Sequence, residues 1–139
     1  MGLVHAEIKL TNSGDLEVFK RGYIKEDEVR HETVTALVNS GAYMLTINEN
    51  IKGQLGLRVV DSAQAELADG SIKQVDIVGP VEIRFKNRRC SVDAAVMPGN
   101  AEVLLGAIPM EDMDVVILPK EQKLVVNPEN PYIAKKSFK

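Results

Sequence analysis

The chain has 139 residues, 45% hydrophobic and 27% charged, which fits one folded domain with a single core and excludes a disordered or fibrous protein. Its net charge of −3, from 17 Lys and Arg against 20 Asp and Glu, supplies no field that would gather nucleic acid or acidic lipid. One cysteine, Cys90, cannot make an intrachain disulfide, no apolar run is long enough to span a bilayer, and charge interrupts the amino terminus before a signal-like run forms, so a cytoplasmic, reduced setting is expected.

The reading is of a single domain over residues 1–139, with a core from about 3 to 126 and a tail from 127 to 139. Leu3 to Leu10 alternates, with Val4, Ala6, Ile8 and Leu10 on one side, and Glu32 to Val38 does so with Val34, Ala36 and Val38. Both predict strands. Between them, Asn12-Ser13-Gly14-Asp15 has turn chemistry, and Lys25 to Glu32 is a charged stretch expected to face solvent. Tyr43 to Ile47 predicts a short strand, followed by a brief helix capped by Asn48 or Thr46 and stopped by Gly56. Asp69-Gly70, flanked by Ala65, Leu67, Ile72 and Val75, signals a hairpin. "VEIRF" and "CSVDAAVM" form another, joined by a basic turn of Lys86, Asn87, Arg88 and Arg89, and Pro80 belongs at a strand end. After Gly106, "AIPMEDM" predicts the second helix, with Pro109 early and acids in its first turn. "DVVILP" and "KLVVNP" pair across Lys120-Glu121-Gln122. Many short strands, one or two short helices and no βαβ rhythm give an all-β class, a small barrel or sandwich. The tail "NPENPYIAKKSFK" reads either as a loose terminus or as a strand exchanged at a subunit interface.

The most informative stretch is Ala36-Leu37-Val38-Asn39-Ser40-Gly41-Ala42, an apolar strand running into a small polar turn. About thirty residues later comes "ADGS" (Ala68, Asp69, Gly70, Ser71). Further on, Val103-Leu104-Leu105-Gly106-Ala107 is an apolar strand ending in glycine before a helix. Turn, hairpin and apolar-Gly-helix in that order resemble the retropepsin-like aspartic peptidases, the retroviral proteases and their small prokaryotic relatives, from Val34 to about Val126.

The resemblance implies a closed β barrel of the acid-protease type, homodimeric, with a peptide-binding cleft at the two-fold axis. It needs no cofactor and no metal. Asn39 falls at the catalytic aspartate position, and Ser40, Gly41 and Ala42 complete the loop. Ala68, Asp69, Gly70 and Ser71 match the flap that covers substrate, and Leu105, Gly106 and Ala107 the support beneath the loop. In such a site two carboxylates share a proton, one activating water and the other polarising the scissile carbonyl. An amide has nearly the same shape but cannot take a proton from water. The chain as written is therefore expected to hydrolyse little or nothing, and its partners are expected to be a second copy and a peptide. Three explanations compete for the asparagine: natural loss, an introduced inactivating change, or an Asn39 that slowly deamidates to aspartate.

Other residues carry weaker signals. Asp61, Asp76, Asp93, Asp112 and Asp114 read as surface or turn acids; the last two could pair at a metal, but two acids on a short polar helix more often serve its amino-terminal dipole. His5, His31 and Cys90 lack zinc spacing, and Cys90 reads as a half-buried strand residue.

Overall fold

The computed structural model describes residues 3–67 and 69–138. Strand β1, His5–Asn12, buries Ala6, Ile8 and Leu10 and pairs antiparallel with β2, His31–Val38. The remaining strands are β3 (Leu45–Asn48), β4 (Arg58–Glu66), β5 (Ile72–Phe85), β6 (Arg88–Met97), β7 (Leu104–Leu105), β8 (Val115–Leu118) and β9 (Lys123–Val126). The main sheet runs β1-β2-β7-β3-β6-β5-β4, and β1 also pairs with β5, from Lys9↔Arg84 to Asn12↔Val81. Six strands thus close a hydrogen-bonded ring, while β4 hangs from β5 outside it. The fold is mostly β, as expected. Inside lie Ile8, Leu10, Leu45, Ile47, Val78, Val81, Ile83 and Leu105, each at 0 or 1% exposure. A side chain of this size contributes about 1.5–3 kcal/mol when fully buried.

Three α-helices form among the described residues, where one or two short helices were expected. The extra one, α1 (Ser13–Lys20), occupies the segment read as a turn. Asn12 is its N-cap, the side chain accepting from the Asp15 N–H at 3.0 Å, so the residues that favour turns here open a helix. None of its side chains is fully buried; Leu16 and Phe19 are half-buried on one face, too short an apolar stripe to mark a helix in the sequence. The excursion between β1 and β2 is closed by Arg30, whose N–H and guanidinium give Asp15 three hydrogen bonds at 2.8–3.0 Å.

Helix α2 (Glu49–Leu55) is capped by Asn48 and stopped by a left-handed Gly56. Helix α3 (Ala107–Met113) starts directly after Gly106. Its acids therefore fall at the carboxyl end and not in the first turn: Asp112 is in the last turn and Asp114 is the left-handed C-cap. That end of the dipole disfavours carboxylates. Lys136 offsets Asp112 at 3.0 Å, and Asp114 accepts from Asn127, Asn130 and the Lys135 N–H, each at 2.9 Å. These bonds lay the segment 127–136 against its own chain.

Three further expectations are corrected. Pro80 lies inside β5, at a bulge between Val78 and Val81 where the register with β6 shifts; a bulge frees the residue from donating to the ladder. The bulge also resets the alternation, returning Val81, Ile83 and Phe85 to the face used by Val78. Arg88 is not part of a solvated turn. It begins β6 at 3% exposure, bonded to the Asn130 carbonyl and 3.8 Å from Asp114. The turn is Lys86 and Asn87, with Lys86 left-handed. Cys90 is 2% exposed, more buried than expected.

Candidate active site

Strand β7 lies between β2 and β3, parallel to the first (Leu37↔Leu104, Val38↔Leu105) and antiparallel to the second (Thr46↔Leu104). The segment that joins β2 to β3, residues 39–44, must therefore arch over the end of β7. Four backbone bonds fix the arch. The Asn39 N–H donates to Leu105 O at 3.0 Å and the Ala42 N–H to Asn39 O at 3.0 Å. The Ala107 N–H donates to Ala42 O at 2.9 Å and the Ile108 N–H to Tyr43 O at 3.1 Å. The last two satisfy the opening N–H groups of α3, for which Gly106 offers no side-chain cap. Loop, β7 and helix start are one unit.

Gly106 sits beneath the arch. A Cβ there would lie 2.6 Å from Met44 O, 2.8 Å from Met44 N and 2.9 Å from Ala42 O, so only glycine allows the approach. The structure thus gathers Asn39, Ser40, Gly41 and Ala42 with Leu105, Gly106 and Ala107. At the apex Asn39 is exposed, and its Oδ1 accepts from the Gly41 N–H at 2.9 Å. A carboxylate in the same position would accept that bond as well, and the bond would favour its ionised form.

The hairpin of β4 and β5 packs against this unit through residues between its middle and its tip. Met44 packs with Ala65 and Met97 against the buried trio Val75, Ile77 and Ala95. At the tip, the strands stop at Glu66 and Ile72, leaving a longer connection than a two-residue turn. Asp69 accepts from the Ser71 hydroxyl at 2.6 Å and its N–H at 2.9 Å, and Gly70 is left-handed. The Ser71 hydroxyl and then its N–H hold the Asp69 carboxyl below the usual carboxylate range. Ala68 lies outside the described residues. Of the flanking residues only Val75 is buried, whereas Ile72 is 67% exposed.

Residues 27–112 match a family model described as "gag-polyprotein putative aspartyl protease". The chain belongs to that family. The match covers the arch of residues 39–44, the β4–β5 hairpin and α3 as far as Asp112, and leaves β1, α1, β8 and β9 outside it. No curated protein matches the chain. Among the described residues, no three His, Cys, Asp or Glu gather as a metal site, and no helix is long and apolar enough to cross a membrane.

Sequence reasoning missed Met44 and the Ala42 and Tyr43 carbonyls. Met44 follows the loop out of any apolar periodicity, and carbonyls carry no residue signature. A glycine directly before "AIPMEDM" was the available sign that α3 needed its cap from elsewhere.

Proposed function

We propose that the chain is a homodimeric peptide-binding protein on the aspartic peptidase scaffold, silent in hydrolysis with Asn39 and converted to an endopeptidase by Asn39→Asp. The observation that carries this reading is the arch itself: family loop, supporting glycine and helix start are intact, and only the proton-transferring group is replaced. One chain holds one such loop, so a paired site needs a second copy.

The cleft would take an extended peptide. Among the described residues strand β4 pairs on one side only, with β5, and eight of its nine residues are exposed, including Val59 and Val60 at about half. Such an edge supports strand addition, with Asp69 to Ser71 closing over the peptide. Losing both carboxylates of a unit costs on the order of 10⁴-fold in rate.

The test is Asn39→Asp, assayed by mass spectrometry on a peptide library, with a pepstatin-type inhibitor as control and sedimentation for mass. The variant should cleave, with a bell-shaped pH profile from its shared proton, while the parent binds the same peptides uncut. A folded, dimeric Asn39→Asp that cuts nothing refutes the peptidase reading. A strictly monomeric parent refutes the paired cleft.

A further inference from the structure

We propose that Asn39 is a structure-directed deamidation site whose conversion to aspartate turns the binder into the peptidase; the second half rests on the proposed function. The tripeptide Asn-Ser-Gly occurs twice, at Asn12-Ser13-Gly14 and at Asn39-Ser40-Gly41. The following residues are identical, so any difference in reactivity between the two comes from the fold.

The two surroundings are opposite. Asn12 is 8% exposed; its Nδ2 donates to Leu55 O at 2.8 Å and its Oδ1 accepts from the Asp15 N–H at 3.0 Å. Both ends of that amide are held. Asn39 is exposed, and among the described residues neither its Nδ2 nor the Ser40 N–H has a hydrogen-bond partner. The leaving group and the attacking nitrogen are both unrestrained. Gly41 meanwhile donates to Oδ1, drawing electron density from Cγ and stabilising the oxyanion that forms there.

The Ser40 nitrogen, giving its proton to base, bonds to Asn39 Cγ. The Cγ–Nδ2 bond breaks, and nitrogen leaves with a solvent proton as ammonia. Water then opens the resulting succinimide. Attack at Cγ frees the Ser40 nitrogen and leaves aspartate; attack at the main-chain carbonyl leaves isoaspartate. One water is consumed and one ammonia released, with no oxidant or reductant. In a paired site both copies must convert, so activity should rise as the square of the aspartate fraction.

The experiment incubates the full chain in mildly alkaline buffer, native and in urea, and maps Asn39 and Asn12 by peptide mass spectrometry that separates aspartate from isoaspartate. Cleavage is measured alongside, with Asn39→Gln as the silent control and Asn39→Asp as the positive one. In the native protein Asn39 should convert several-fold faster than Asn12, the two rates should converge in urea, and cleavage should follow the square law. Native conversion no faster at Asn39 than at Asn12 overturns the proposal. A product that is wholly isoaspartate overturns the switch. Conversion at Asn39 with an inactive Asn39→Asp overturns the peptidase reading and leaves the modification site standing.

Discussion

Gly106→Ala isolates the close approach that shapes the site. Gly106 has φ −90°, a value any residue adopts, so the methyl adds no backbone strain and its whole effect is steric. It would meet three backbone atoms within 3.0 Å, Met44 O, Met44 N and Ala42 O, none of which can rotate away. The arch must rise, stretching the Ala107-to-Ala42 and Ile108-to-Tyr43 bonds on either side. Overpacking of this kind costs about 1–3 kcal/mol, and a wholly backbone clash belongs near the top, about 3 kcal/mol. For a domain of this size that lowers Tm by roughly 10 °C. Gly53→Ala is the matched control: Gly53 lies within α2 with nothing within 4 Å of its added Cβ, so alanine should stabilise by about 0.5–1 kcal/mol. Urea and thermal melts of both variants give the answer. A Gly106→Ala protein within about 0.5 kcal/mol of the parent would show that the arch is soft and refute the reasoning.

Asn12→Ala removes the α1 cap, about 1 kcal/mol, and leaves the Leu55 carbonyl without its donor, about 1 more, so urea denaturation should show a loss of about 2 kcal/mol. The Asn127 side chain, the Lys135 N–H and Asn130 hold the Asp114 carboxyl below its ordinary value. Its contribution is therefore complete above about pH 4 and fades as pH falls through the lowered value; the protection of the Lys135 N–H against hydrogen exchange, relative to the free-amide rate at the same pH, should fall there, and Asp114→Asn should flatten the dependence. Burial pushes the Cys90 thiol up to about 12, with Asp112 adding to it, so iodoacetamide should label native protein at pH 8 no faster than the chain unfolds. Rapid labelling in native buffer would contradict the buried placement.

The parts legible in the sequence are those with local causes. Alternation placed β1 and β2, and Asn48 and Gly56 bounded α2 through their capping chemistry. Where one local signal has two outcomes, reading failed: Asn12-Ser13-Gly14-Asp15 serves a turn or a cap equally, and an eight-residue helix with only Leu16 and Phe19 half-buried has too short a stripe to decide it. The acids of α3 were misplaced because Pro109 marks an early helical position without fixing which one. Arg88 and the β1–β5 pairing depend on partners far along the chain, Asn130 and Asp114 for one and residues 81–84 for the other, and no local pattern encodes them. At the candidate site, Asn39 to Ala42 and Leu105 to Ala107 were legible as motifs, whereas the link from Met44 to the β4–β5 hairpin required the fold.

What holds the arch is indifferent to the chemistry of residue 39. The four bonds that fix it run between backbone atoms. The one side-chain bond, from the Gly41 N–H to Oδ1, suits a carboxylate oxygen at least as well as an amide one. Asn39→Asp should therefore leave the single chain's fold nearly unchanged. In the proposed dimer the consequence falls elsewhere, because two carboxylates brought together cannot both ionise without repulsion, and one must keep a proton. Folding stability and dimer affinity should then respond differently to this substitution: the first flat with pH near neutrality, the second weakening as the shared proton is lost. Under the proposed function, asparagine would remove that repulsion together with the reaction, so a binding dimer would gain from the same atom exchange that ends catalysis.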